Sequence, residues 1–175
     1  MSFGLLIIRL AVGLTLAAHG TQKLFGWFGG GGLSATSQMF EKIGLRPPRV
    51  HARLAGLAET CGGLMLAVGL LTPAAAAMIL AVMIAAVPLV HLDHGFFAVN
   101  GGWEYNLVLA ASALGVAFAG PGAFSLDSML GLSWGEQWGF AALIVGIIAG
   151  AAVVLARNAA QRRHAPPGGT PQPQG

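Results

Sequence analysis

Charge is scarce in this chain: Asp, Glu, Lys and Arg together make up 9% of 175 residues, and cysteine and tyrosine occur once each. An ordinary soluble domain is about 25% charged, so a solvated globular surface is excluded and a membrane protein is expected. The single cysteine, Cys61, excludes an intramolecular disulfide, a CxxC redox pair and a cysteine-ligated iron–sulfur cluster. It reads as a small buried hydrophobe. A glycine-rich dinucleotide fingerprint is also missing. No cleavable signal peptide is expected, because the first apolar run has no basic segment before it, carries Arg9 and ends in "AAHG".

What is abundant is apolar sequence, 55% of the chain, with a net charge of +3. The basic residues flank apolar runs, which favours anionic lipid headgroups over nucleic acid as their partner. A spanning helix needs about 20 mostly apolar residues. The runs that qualify are Phe3–Leu24, Ala52–Leu71, Ala74–Leu92, Trp103–Ala119 and Trp138–Ala156. The fold class expected is therefore an all-α membrane protein: a four-helix bundle over residues 1–127, an added helix over 128–157, and a disordered cytoplasmic tail over 158–175. Between the first two runs, "LSATSQMFEKIGL" predicts a short amphipathic helix on the membrane surface, capped by Ser34 or Thr36.

Lys and Arg set the orientation. Lys42, Arg46, Arg49, Arg157, Arg162 and Arg163 share one side, whereas the opposite loops hold Asp127 and Glu136 but no Lys or Arg. The positive-inside rule puts the N-terminus outside and the C-terminus in the cytoplasm of a bacterial inner membrane. Arg9 is the exception.

Polar side chains inside a bilayer are functional candidates by default. On the first helix, Arg9, His19 and Lys23 fall within an arc of about 80°. Glu59 lies on the face of the second helix that also carries Ala52, Gly56 and Gly63. Similar depths make a His19–Glu59 pair the expected contact, with Arg9 about 11 Å further out. The plainer readings are that Arg9 snorkels outward, Lys23 is an interfacial anchor, and Trp27 with Phe25 and Phe28 forms an aromatic belt. A second polar stretch, "HLDHGFFAVNGGWEYN", brings His91, Asn100 and Glu104 to the same side as His19 and Lys23. Alone, it reads as helix caps and a turn; together with the first, it predicts a binding site. His91, Asp93 and His94 are spaced as loop residues often are by chance, and no metal is expected there.

The segments "RLAVGLTLAAHGTQKLFGWFGGGGL", "FEKIGLRPP", "LAGLAETCGGLMLAVGLLTPAA", "HLDHGFFAVNGGWEYN" and "GPGAFSLD", in this order from about Leu5 to Asp127, resemble the DoxX family of small bacterial membrane proteins. The resemblance implies a four-helix bundle, to which the fifth run and the Pro/Gly tail are additions. It also implies a redox context. Similar proteins include a membrane subunit of thiosulfate:quinone oxidoreductase, partners of superoxide dismutase and a sulfurtransferase, and proteins that respond to quinone stress. In that light His19 and Lys23 suit headgroup donors to a quinone. Glu59 suits a proton partner, since a carboxyl group in low dielectric is placed to relay a proton. Arg9, Trp27, His91, Asn100 and Glu104 complete the predicted site. Other readings stay open: a haem held by His19 and His91, a scaffold that docks soluble cytoplasmic redox enzymes, or a solute or proton pathway. The Gly- and Ala-rich fifth run suggests a homo-oligomer.

Overall fold

The computed structural model describes residues 2–164. Its elements are α1 (Ser2–Phe25), α2 (Gly32–Lys42), α3 (Pro48–Val68), α4 (Thr72–Ala86), α5 (Glu104–Ala119), α6 (Leu126–Met129) and α7 (Glu136–His164). No strand occurs among the described residues. α4 continues through a π-helical turn at Val87–His91 and a short 3-10 turn at Leu92–His94. Pro88 cannot donate to the helical ladder, which accounts for the wider turn at that point.

α1 packs chiefly on α3, while α4 sits between α3, α5 and α7. The core runs from Val12 and Leu16 through Leu66, Ile79 and Leu80 to Leu109 and Val116. Three helical stretches are long and apolar enough to cross a membrane: Ser2–Phe25, Thr72–His94 and Glu136–Arg163. α3 carries Arg49, Arg53 and Glu59 and spends much of its length on small residues, which lowers its hydropathy. α5 has 16 residues, about 24 Å at 1.5 Å per residue, short of a hydrocarbon core of about 30 Å.

Glycine lets α1 and α3 touch along their backbones. A Cβ on Gly13 would lie 2.5 Å from Gly63 O and 2.6 Å from Ala67 N, both backbone atoms. Neither can yield unless a helix moves. Gly13→Ala is therefore expected to destabilise the fold by about 1–3 kcal/mol, read as a lower unfolding temperature in detergent. Gly115 has nothing within 4 Å of the same position, so Gly115→Ala is expected to be neutral or stabilising through helix propensity. Equal effects of the two substitutions would show that close packing at Gly13 contributes nothing.

α2 begins at Gly32, before Ser34, and no side chain caps it. Thr36 and Ser37 instead turn their hydroxyls back onto the carbonyls of Gly32 and Leu33, a common use of hydroxyls inside a helix. The helix buries Phe40 against Leu45 and Ala52. Cys61 is exposed rather than buried, because Glu59, Gly62 and Gly63 take the inward face of α3. α7 runs on to His164, so residues 158–164 are helical rather than disordered. Arg157 Nε holds this end by donating to Ile43 O at 2.9 Å. The rest of the expected tail, 165–175, lies outside the described residues. The small-residue face of α7 is engaged within the chain, with Gly146 against Leu80 and Gly150 against Ala81 and Ile84.

Candidate functional site

Glu59 is a deeply buried acidic group at the α1–α3 seam, its side chain 3% exposed. It forms an ion pair and hydrogen bond with Lys23 Nζ through Oε1, rather than with His19. The backbone register explains why His19 was the reasonable expectation: Gly20 meets Gly56 and Thr60 across the seam, so residue 19 is level with residue 59. Direction decides otherwise. Relative to Gly20, Lys23 lies about 60° around the helix and His19 about 100°. Helical side chains also slant toward the N-terminus. Lys23, one turn further along, therefore reaches back to the level of Glu59, while His19 turns toward α5. There its Nε2 lies 3.4 Å from the Tyr105 hydroxyl and the rings pack edge to face.

The second carboxylate oxygen, Glu59 Oε2, is buried and has no hydrogen-bond partner among the described residues. Such an atom is expensive to leave unmatched. Tyr105 lies within electrostatic reach of Glu59. The polar group is thus Lys23–Glu59 with Tyr105 and His19 beside it.

Next to this pair is a cavity of about 420 Å³ bounded by α2, α3, α4 and α7. Leu54, Val82, Leu89 and Val153 are among its apolar walls, and among the described residues its titratable lining is Lys23, His51 and His91. His91 Nδ1 donates to Gly101 O at 2.7 Å, which fixes the ring and leaves Nε2 as the free nitrogen. This contact joins the end of α4 to the loop before α5. The two polar stretches of the sequence meet through His19 and Tyr105 and through Lys23 and His91 at the cavity.

The other predicted residues lie elsewhere. Trp27 is exposed and packs between Phe25 and Phe28, the arrangement of an aromatic belt. Asn100 is exposed on a 3-10 turn. Glu104 accepts a hydrogen bond from Ala98 N–H at 2.9 Å and so braces its own loop. His91 and His94 turn to different carbonyls, those of Gly101 and Val90, and His19 to Tyr105, so the histidines proposed for haem each have a protein partner.

Arg9 belongs to the opposite end. It is 1% exposed and donates to the carbonyls of Pro121 and Phe124. It snorkels, but into protein: the α5–α6 connection supplies the carbonyls that water would otherwise supply. Beside it, Asp127 is fully buried. It accepts from Leu71 N–H at 2.7 Å, Thr72 N–H at 3.0 Å, the Thr72 hydroxyl at 2.7 Å and Trp134 Nε1 at 2.8 Å. Burial alone pushes the Asp127 carboxyl up, but these donors from Thr72, Trp134 and Leu71 outweigh it and hold the group below the usual carboxylate range.

Sequence reasoning missed Tyr105, His51, Asp127 and the buried Asn106. Tyr105 stands inside the "HLDHGFFAVNGGWEYN" stretch, but nothing in its spacing sets it apart. Asp127 had a signal in its isolation, as a carboxylate in a loop otherwise poor in charge and followed by Trp134.

The DoxX family model matches residues 4–92, which include Lys23, Glu59, His91 and most of the cavity wall, but not Tyr105, Asp127 or Trp134. An uncharacterized membrane protein of Mycobacterium tuberculosis is 33% identical over 135 residues, covering 70% of this chain and 78% of that protein. No solved structure matches the chain. With its helical bundle, its apolar spans and this match over half its length, the chain is a membrane protein of the DoxX family.

Proposed function

We propose that the chain is a quinone-interacting subunit of a membrane oxidoreductase or oxidative-stress system, with its site at the Lys23–Glu59 pair. The observation that carries this reading is the apolar cavity whose titratable lining is Lys23, His51 and His91, backed by a buried carboxylate with one unmatched oxygen. A quinone has ring oxygens that accept hydrogen bonds and an apolar tail, so the donor set and the walls both fit it. Lys23 carries three N–H donors and spends one on Glu59, leaving others for a ring oxygen. His91 Nε2 supplies a second polar contact. A bound quinone would supply two-electron chemistry coupled to proton uptake. The protein's part is to orient the ring, exclude water, and hold or pass a proton at Glu59 Oε2, with Tyr105 and His19 leading toward the surface. Relative to the sequence expectation, His19 moves from headgroup donor to the relay, and Arg9, Trp27, Asn100 and Glu104 leave the site.

In this reading α3 and α5 join the three apolar helices as spans, and the basic end faces the cytoplasm of a bacterial inner membrane. Soluble redox enzymes would meet it there. A scaffold without a quinone draws support from the same basic end.

The test is an organic extract of protein purified in mild detergent, together with redox titration of the bound quinone. Stoichiometric quinone is expected. Lys23→Gln should lower its retention about tenfold, the effect of losing one charged hydrogen bond. Glu59→Gln should retain quinone but flatten the pH dependence of its midpoint potential. Protein that neither retains quinone nor binds it when added back in liposomes would turn the assignment to the scaffold.

A further inference from the structure

The basic end carries a second concavity, distinct from the cavity beside Lys23. It is an open groove of about 820 Å³ between the start of α3 and the end of α7, lined by Arg46, Pro47, Pro48, Ala156, Ala159, Ala160 and Arg163. Its two halves lie far apart in the sequence. The strut that fixes them together is Arg157, which reaches across to Ile43 O.

The groove has an amphiphilic lining. Prolines and alanines make its walls and guanidinium groups its rim. Residues 41–53 and 156–164 contain Lys42, Arg46, Arg49, Arg53, Arg157, Arg162 and Arg163, but Glu41 is their only carboxylate. Glu41 pairs with Arg46, and both side chains of that pair are about half exposed, so the pairing is screened and readily exchanged. Position in the bilayer adds a further constraint. The apolar run of α7 ends at Ala156, and Arg163 lies seven residues on, about 10 Å along the axis. An arginine side chain reaching back from there sits in the headgroup layer, which begins where the hydrocarbon core ends.

We propose that this groove is a binding site for one anionic phospholipid, with the phosphate between Arg46 and Arg163 and the upper acyl chain along Pro47, Pro48, Ala156 and Ala159. Guanidinium groups match phosphate oxygens in geometry as well as charge. The apolar wall selects a lipid over a free phosphate, because only the lipid has hydrocarbon to lay against it. This inference does not depend on the quinone reading, since the two concavities share no lining residue among those described.

The experiment is native mass spectrometry of the full chain released from nanodiscs that mix phosphatidylglycerol with phosphatidylcholine. The wild type should retain one phosphatidylglycerol in preference to phosphatidylcholine. Arg46→Gln with Arg163→Gln should reduce that retention about tenfold. Lys42→Gln with Arg162→Gln removes the same charge from the same end and should change it less than twofold. Ala159→Trp keeps every charge but fills the wall, and should also reduce retention. Circular dichroism and unfolding temperature report on folding, so a variant that fails to fold is replaced by the conservative pair Arg46→Lys and Arg163→Lys, which should weaken retention while keeping charge. Equal losses from the two double variants would mean diffuse attraction only and overturn the site. Displacement of the lipid by millimolar glycerol phosphate would identify a free-phosphate site and overturn the lipid assignment. Retention unaffected by Ala159→Trp would show that no acyl chain lies along the groove wall and would overturn the site.

Discussion

Lys23→Met should destabilise the protein far more than the loss of an ordinary surface lysine. Its partner Glu59 is 3% exposed at the side chain, while Lys23 itself is 29% exposed. Removing the cation leaves a carboxylate inside the bundle with neither Lys23 nor a partner for Oε2. Breaking a buried pair from one side costs about 3–5 kcal/mol, because the remaining charge stays desolvated. Removing both partners is different. In Lys23→Met with Glu59→Leu no charge is stranded, and the double variant should recover most of the lost stability. Unfolding in mixed detergent, followed for the wild type, both single variants and the double variant, measures the coupling. If Lys23→Met alone unfolds at the wild-type midpoint, the pair has no structural weight. Quinone retention is read on the same four proteins. The double variant should be stable and yet retain about tenfold less quinone than the wild type, which separates loss of the site from loss of the fold.

That pair also marks how far sequence could go. Helical periodicity placed Arg9, His19 and Lys23 on one stripe, and the small residues of α3 placed Glu59 against a neighbour; both features are present. Which member of the stripe takes Glu59 depends on a few tens of degrees of helix rotation and on the backward slant of side chains. Apolar periodicity does not fix angles that finely. The cavity was illegible for a related reason. Its walls are ordinary Leu, Val and Ala, and its existence depends on how α2 and α7 cover α3 and α4. The charge pattern was legible because it is a long-range property: every Lys and Arg of the two basic stretches lies at one end. Arg9, the exception to that pattern, is explained by its partners, since the loop that binds it is more than 100 residues away in sequence. Tyr105 was visible as a residue but not as a neighbour of His19, for the contact needs the packing of α1 on α5.

Asp127 should make stability depend on acid in a way that one substitution can isolate. The groups it holds come from three places: Leu71 and Thr72 at the α3–α4 turn, Trp134 before α7, and Arg9 of α1 through charge. Asp127→Ala strands buried donors and leaves the Arg9 guanidinium without its counter-charge, at a cost of about 3–5 kcal/mol. Because hydrogen bonds hold the folded-state carboxyl below its ordinary value, ionisation favours the native state. That contribution is complete above the unfolded pKa of about 3.9 and is lost as pH falls through the lower, folded-state value. Asp127→Asn keeps one acceptor oxygen but cannot titrate, so it should start less stable and show no such acid limb. Unfolding midpoints between pH 7 and pH 3 for the three proteins read this directly. A parallel decline of the wild type and the Asn variant below pH 4 would assign the acid sensitivity to other carboxylates. The cluster lies at the far end of the bundle from Lys23 and the cavity, so Asp127→Asn under conditions where it remains folded should retain quinone as the wild type does. Loss of quinone in a folded Asn variant would mean instead that the two ends are coupled through α1, the helix that carries both Arg9 and Lys23.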